Sequence, residues 1–488
     1  MERRVIGIIG AGVSGLLACK YVLEKGFEPI VFESQPGLGG VWTHTPETTK
    51  LQSSKQAYQF SDFPWPSSVK EEYPNHNLVL KYLESYAFHL GLLPYIKFNT
   101  KVININYCSV QEGEDDFHAW SHCGGTTDGS WSNPKGKWEI TTTNAAVQEH
   151  PEQGHQVHEV EFVILCIGRF SGVPNIPDFP PNKGPEAFIN GIENPCTLLF
   201  RNLHWSVPAD SSPFGVLAVL YLSRFSELML HKPGEGPFLS LLVTLLSPLR
   251  WTISKLVESY IKFKIPLKRY NLIPAHRFSA DVTSCSLAVT PENFYDRVEE
   301  GSILLKKSKR FSFYANGLTF DDDDATAPLE TDIVILGTGY KGEVKLRKIF
   351  KSPTFQNYIA GVLNSTVTLY RGCIHPRIPQ LAVIGFAESY ANLYTSEMRC
   401  RWLAHFLEEG FKLPSIKEME KDVLEWEKYM KRYSSGGACV TALHVWYNDQ
   451  LCKDMGCNPK RKKGYFAELF QPYGPTDYAN LTPGKKIN

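Results

Sequence analysis

The stretch from Val5 to Glu33 constrains the chain more than any other, because it reads as a strand, a glycine turn, a helix and a second strand in immediate succession. Val5 to Ile9 is a continuous apolar run suited to a buried strand. Gly10-Ala11-Gly12-Val13-Ser14-Gly15 is a tight turn of the form GxGxxG, Leu16 to Glu24 has helical spacing and stops at Gly26, and Pro29 to Phe32 is a strand closed by Glu33. The glycine pattern alone is a weak signal, but between a strand and a helix it is a strong one. Its first glycine permits the turn, its second lets backbone approach a pyrophosphate, and its third lets helix and strand pack closely. The helix N-terminus adds unpaired N–H groups and a positive dipole end. Glu33 stands where a carboxylate accepts from a ribose 2′-OH and disfavours a 2′-phosphate, so the site is expected to hold FAD or NAD rather than NADP.

The chain has 488 residues, 43% of them hydrophobic and 21% charged, enough for two or more packed cores. Lys+Arg and Asp+Glu both number 51, so there is no basic field for nucleic acid, and a small-molecule ligand is expected. Eleven cysteines without a CxxC pair read as free intracellular thiols. Cys452 and Cys457 lack the second pair of ligands a structural zinc needs, so no metal ligands are assigned. The N-terminus carries no signal-peptide pattern, and the expected location is cytoplasmic. Phe238 to Ile253 falls short of the roughly eighteen uninterrupted apolar residues of a membrane span and contains Pro248 and Arg250. It is expected as a buried helix, with peripheral contact to the endoplasmic reticulum membrane as the second reading.

Farther along, Asn77 to Leu90 has helical periodicity, and Lys101 to Tyr107 and Lys137 to Thr143 alternate like strands around a polar excursion, Gln111 to Asn133, expected as a hairpin with a loose tip. Val160 to Ile167 reads as another buried strand, followed by Pro174, Pro177, Pro180 and Pro181, a shift that marks a domain crossing. Asp332 to Leu336 reads as the returning strand. Asp321 to Asp324 reads as a solvated turn, since it lacks the spaced ligands of a calcium loop. A helix is expected over Ser396 to Glu409. These divisions give 1–172 as the first part of a nucleotide-binding domain, 173–330 as an inserted domain, and 331–488 as the returning second part with C-terminal helices.

Gln35-Pro36-Gly37-Leu38-Gly39-Gly40-Val41-Trp42, counted on from Glu33, resembles the E-x-x-x-x-x-G-G-x-W run of flavin-dependent monooxygenases. Leu51-Gln52-Ser53-Ser54-Lys55, Tyr58 to Pro66, Leu336-Gly337-Thr338-Gly339-Tyr340, Arg371 to Pro376 and Ser389 to Trp402 follow in the order found in plant-type flavin-containing monooxygenases. Ser54 stands where many relatives carry Asn, and Gly337 where they carry Ala. The resemblance implies an α/β fold: a three-layer, Rossmann-like FAD domain with an inserted, truncated NADPH-binding Rossmann-like domain. It implies FAD contacts at Gly10, Ala11, Gly12, Val13, Ser14, Gly15, Glu33, Ser34, Gly40, Val41, Trp42, Gln52, Ser53, Val102, Thr338 and Gly339. A helix starting near Thr395 would point its N-terminus toward the flavin.

The implied activity is oxygenation of a soft nitrogen or sulfur of an amine, amino-acid-derived or thioether substrate by O2, through a C4a-hydroperoxyflavin, with NADPH as reductant. The flavin carries the chemistry, so no catalytic acid or base is nominated. Family members carry a second GxGxxG, for NADPH, and this sequence has none in the corresponding place, between Gly168 and Cys196. Phe188 runs straight into Ile189 to Pro195 and then Cys196 to Phe200, which resembles the second strand of the NADPH domain. A βαβ unit needs roughly thirty residues or more, and its first strand, turn and helix have none here. A deletion between Phe188 and Ile189 is inferred. Arg201, just past the strand, is placed either to pair with a 2′-phosphate or to stand exposed at a strand end. Weak or absent NADPH binding is expected. The competing readings are an FAD-binding silent isoform that binds substrate or pairs with an intact enzyme, and a flavin reductase or oxidase without oxygen transfer.

Overall fold

The computed structural model describes residues 4–109, 136–146, 154–179, 196–208, 214–291, 293–320, 328–359, 369–386, 389, 392–433 and 439–482. The polar excursion at 111–133, the aspartates at 321–324, the junction at 188–189 and the tail from 483 lie outside these residues.

β1 (Val5–Ile9), α1 (Val13–Glu24) and β2 (Glu28–Phe32) form as the pattern predicts, except that the helix starts at Val13 rather than Leu16. Val13, Ser14 and Gly15 are therefore its first turn, and intrahelical bonding opens with Leu16 N donating to Gly12 O at 3.0 Å. α2 (His76–His89) is capped by Asn75, whose side chain accepts from Leu78 N at 3.1 Å, and β3 (Ile96–Lys97) follows. β4 (Thr100–Ser109), β5 (Gly136–Asn144) and β6 (Gln156–Val160) make an antiparallel sheet. The strand expected over Val160 to Ile167 is two: β6 ends at Val160, and β7 (Phe162–Leu165) joins a different sheet. The break falls where the chain leaves the antiparallel layer and Glu161 N donates to Val5 O at 2.9 Å.

The inserted stretch holds β8 (Cys196–Phe200), β9 (Ser206–Pro208), α3 (Pro237–Lys264), α4 (Phe278–Ser284), β10 (Ala288–Thr290), β11 (Ile303–Lys307), β12 (Phe311–Tyr314), β13 (Gly317–Phe320) and β14 (Leu329–Glu330). β15 (Leu381–Val383), α5 (Asn392–Leu407), α6 (Ile416–Tyr433) and α7 (His444–Asp454) return to the first body. α5 begins ahead of the expected Ser396, so Thr395, Ser396 and Glu397 lie buried inside it rather than at its N-terminus. The two crossings meet: Asn175 N donates to Gly339 O and Lys341 N to Val173 O, both at 2.8 Å.

The first body is three-layered. Its central parallel sheet runs β15-β7-β1-β2-β3, and side chains alternate between faces as strand geometry requires. Ile6, Ile8, Phe162 and Ile164 enter the core shared with α1, α2 and α5, while Ile9, Val163 and Leu165 enter the core beneath the antiparallel sheet.

The second body departs from that plan. β8 pairs in parallel with β11, as β2 does with β3, but the described residues contain no strand on the other edge of β8. The sequence Asp332-Ile-Val-Ile-Leu-Gly-Thr-Gly339 echoes Glu161-Phe-Val-Ile-Leu-Cys-Ile-Gly168, yet the expected strand at Asp332–Leu336 does not form. Ile333 and Ile335 are 76% and 88% exposed. The reason is a missing neighbour. β7 is held on one side by β1, and the sequence between Gly168 and Cys196 offers no counterpart of β1 for residues 332–336 to pair with.

Two other expectations are corrected. The apolar run at 238–253 is part of a longer helix, α3, that is mostly exposed rather than buried. Its Val257 and Ile261 pack with Trp205, Val207, Phe278 and Val282, while Phe238, Leu241, Leu245, Leu249, Leu256 and Phe263 are exposed. The run is apolar on both sides of the helix, so hydrophobicity alone could not show that a single side is covered. The cysteines are not all free: Cys285 and Cys439 form a disulfide across 154 residues, with Cα atoms 5.7 Å apart. Spacing along the chain cannot reveal a pair joined by the docking of α4 beside the segment that leads into α7.

If residues 332–336 are unpaired, Ile335→Glu should shift the thermal midpoint by no more than a couple of degrees, an ordinary exposed substitution worth within about 0.5 kcal/mol. Ile164→Glu, the matching change in fully buried β7, should leave little folded protein. Equal damage from both, read by thermal melts, would show that 332–336 is packed.

Candidate functional site

Three backbone segments converge at the carboxyl end of β1. Gly10 takes φ +103, and a Cβ there would lie 2.5 Å from Cys166 O at the end of β7. A Cβ on Gly15 would lie 1.8 Å from Gly10 O, so the third glycine is obligatory: helix and turn already touch. A Cβ on Gly12 would come within 3.5 Å of the Gly40 Cα, and one on Gly40 within 3.1 Å of the Gly12 Cα. Gly39 N donates to Ala11 O at 3.1 Å, which lays the 37–42 loop against the turn. The third segment is the end of β15, where Gly385, at φ +91, would bring a Cβ within 2.7 Å of Ser14 Oγ.

Glu33 locks the turn. Its Oε2 accepts from Ala11 N at 2.7 Å, and its Oε1 accepts from Gln35 N at 2.9 Å and from Ser34 Oγ at 3.3 Å. Lys345 stands nearby, donating to Ile167 O at 2.5 Å and Ser171 Oγ at 3.0 Å. Burial holds its ammonium below the ordinary lysine range, and the negative charge of Glu33 works against that fall. The amides of Val13, Ser14 and Gly15, by helix geometry, open on the space in front of the turn and carry the positive end of the α1 dipole. This fits a dinucleotide pyrophosphate: backbone donors, no side chain in the way, and a carboxylate at the end of β2 for a ribose.

Trp42, in the short 3-10 turn Gly40–Thr43, donates through Nε1 to Tyr58 Oη at 2.9 Å. Behind Tyr58, Phe60 stacks on Tyr86 with ring centroids 3.5 Å apart, and Trp65 on Tyr82 at 4.1 Å. Burial among these rings pushes the Tyr58 phenol well above its ordinary value. Glu397 of α5 ties the wall to α1, accepting from Ser61 N at 2.9 Å, Ser61 Oγ at 2.6 Å and Tyr21 Oη at 2.6 Å, with Arg401 paired to it at 3.1 Å.

Of the residues nominated from sequence, Gly10 to Gly15, Glu33, Ser34, Gly40, Val41 and Trp42 are brought together. Gln52 is exposed and Ser53 buried on the segment leading to Tyr58. Val102 is half-buried on β4, whose first residue, Thr100, donates to Glu33 O at 2.8 Å. Thr338 and Gly339 belong instead to the crossing, where Thr338 Oγ1 donates to Asn175 O at 2.5 Å. Arg201 is exposed at the end of the separate β8–β11 ladder. Gly385 and Lys345 were not nominated. The glycine closing the Leu381–Ile384 run was the only sequence signal for the first, and nothing local marks the second.

A family described as "Flavin-binding monooxygenase-like" matches residues 3–121 and 239–484. The unmatched stretch between them contains the junction at Phe188. The chain is 36% identical to "Probable flavin-containing monooxygenase 1" of Arabidopsis thaliana, over 97% of this chain and 96% of the relative. That alignment spans 534 positions, more than the 488 residues here, so part of the relative has no counterpart. It is 25% identical to "Flavin-containing monooxygenase 3" of Rattus norvegicus, over 99% of this chain and 90% of the relative. Among solved structures, the OTEMO complex with FAD and NADP superposes with a TM-score of 0.62 at 14% identity, over 92% of this chain and 98% of that one, a likeness of fold.

Gly15→Ala should cost at least tenfold in FAD affinity, about 1.4 kcal/mol, read as flavin absorbance retained through gel filtration. Gly37→Ala, in the 37–42 loop that lies against the turn and with no atom within 4 Å of the added Cβ, should retain it fully. Equal retention by both would mean that the turn does not grip the cofactor.

Proposed function

The chain belongs to the flavin-binding monooxygenase-like family, and from that membership we propose that it transfers one oxygen atom of O2 to a soft nitrogen or sulfur of a small molecule. FAD-dependent monooxygenation, with NADPH as the family's reductant, is its activity class. The observation that carries the reading is the convergence of the Gly10–Gly15 turn, Glu33 and the Gly40–Trp42 loop on one space.

FAD supplies the redox chemistry when bound, taking up reducing equivalents and activating O2. The residues of this chain do the rest. The α1 amides and the bare Gly12 and Gly40 backbone hold the pyrophosphate, and Glu33 orients a ribose. Trp42, Tyr58 and the aromatic stack behind them keep water from the redox centre. The substrate needs no activating base, since a soft nitrogen or sulfur lone pair is itself the nucleophile.

The residues toward NADPH fit less well. Without a strand, glycine turn and helix before β8, NADPH would lose its backbone phosphate grip and keep Arg201 alone of the nominated contacts. That deficit favours a second reading, an FAD-binding isoform impaired in its reductive half-reaction. The exposed apolar side of α3, from Phe238 to Phe263, is proposed to rest on a membrane surface, and the protein to be cytoplasmic and peripheral to the endoplasmic reticulum.

Two outcomes are expected. In a sealed anaerobic cuvette, the FAD-loaded chain should bleach with dithionite but scarcely with NADPH; rapid bleaching by NADPH would show that a nicotinamide site forms, and would sink the impaired-isoform reading. The chain should float with liposomes and lose this on Leu241→Glu/Leu245→Glu; a native chain that stays in the soluble fraction would refute the membrane contact.

A further inference from the structure

Away from the flavin site, His204 meets His276 and Asp281, which lie five residues apart on the stretch that enters α4. His204 follows β8, His276 ends the loop before α4, and Asp281 lies in the first turn of α4. His204 Nδ1 is 3.0 Å and His276 Nε2 2.8 Å from the same atom, Asp281 Oδ1, and the three ligand atoms lie within 4.8 Å of one another. The carboxylate is buried, whereas the two imidazoles are 40% and 38% exposed.

The arrangement is held from behind. Asp281 Oδ2 accepts from Trp205 N at 2.6 Å, which fixes the carboxylate plane and leaves Oδ1 facing the imidazoles. Trp205 Nε1 donates to His276 O at 2.9 Å, which fixes the backbone of one imidazole to the residue beside the other. Trp205 itself is fully buried in the core of α3 and α4. Such outer contacts are what orient ligands in metal sites.

We propose that His204, His276 and Asp281 form a binding site for a divalent first-row transition metal of the zinc class, which tethers the loop after β8 to α4. Imidazole nitrogen and carboxylate oxygen bind such ions at roughly 2.0–2.2 Å, and here each imidazole nitrogen lies 2.8 to 3.0 Å from Asp281 Oδ1 with all three ligand atoms within 4.8 Å of one another, close enough to draw in around one ion. Two imidazoles select zinc, copper, nickel or iron over magnesium and calcium, which prefer all-oxygen shells. The exposed edges of the rings leave an entry path and open positions for water, so the site is three protein ligands plus solvent rather than a closed four-ligand knot. Lys262, whose ammonium lies 5.4 Å over the Trp205 ring, and Arg277, next to His276, are the nearby cations that oppose the ion. The site lies in the body where, among the described residues, one edge of β8 has no strand, and a tether there adds folding free energy.

The test is a cobalt titration of the FAD-loaded, chelator-treated chain. One Co2+ per chain should give a saturable visible absorption that Zn2+ displaces. His204→Gln and His276→Gln should each weaken binding at least tenfold while retaining FAD, the check on folding. In the unaltered chain, Zn2+ should also shield His204 and His276 from carbethoxylation, read by mass spectrometry. Absence of a saturable signal, variants that bind as the native chain does, or two histidines that stay equally reactive with Zn2+ present would each overturn the site.

Discussion

Glu33 closing on the amide of Ala11 at 2.7 Å is the contact on which the rest of the first body depends. It ties the end of β2 to the turn after β1, so the register of the parallel sheet and the shape of the glycine loop are set together. Once Gly10 has taken its positive φ and Gly15 lies against the Gly10 carbonyl, α1 can leave in one direction only. The 37–42 loop then has a bare backbone to lie on, and the end of β15 meets Ser14 from the far side. A site for a dinucleotide is the outcome of packing a strand, a turn and a helix this tightly, with glycine wherever a side chain would intrude. The negative charge that orders the turn is also the group suited to a ribose hydroxyl, so structure and binding rest on one carboxylate.

The two bodies show what that unit contributes by the contrast between them. In the first, β7, β1, β2 and β3 are neighbours in that order, and the apolar residues of β1 and β7 enter a layer on either face. In the second, β8 and β11 repeat the β2–β3 pair, and residues 332–336 resemble β7 in sequence, but no strand among the described residues repeats β1. A strand stabilised by its neighbours cannot persist without them, which leaves Ile333 and Ile335 in solvent. The glycine turn that follows such a strand is missing with it, and so is the helix dipole that would face a second pyrophosphate. One missing stretch, as proposed, would account both for the unpaired edge of β8 among the described residues and for weak NADPH affinity.

The first turn was legible because its information is local. The apolar run, the glycine spacing and an acidic residue about twenty positions on are all fixed by backbone geometry over a short stretch. The Gly39-Gly40-x-Trp42 loop was legible through its place after Glu33. What sequence could not show was whatever depends on contact between distant segments: Gly385 and Lys345 beside the turn, the disulfide between Cys285 and Cys439, and the trio of His204, His276 and Asp281. The exposed side of α3 was misread for the same reason, since an apolar run says that a surface wants cover and not whether cover exists. Asp332 to Leu336 is the opposite case: its local pattern is that of a strand, and only the absent neighbour defeats it.

The proposal with the widest consequence is that this chain grips FAD firmly and NADPH weakly. Calorimetric titration of the FAD-loaded protein with NADP+ tests it most directly, since it reads binding without any redox step. FAD bound at one per chain, with no saturable heat from NADP+ up to millimolar concentration, is the predicted result. Saturation by NADP+ in the micromolar range would contradict the account, because a phosphate grip would then exist without the strand, turn and helix that should make it.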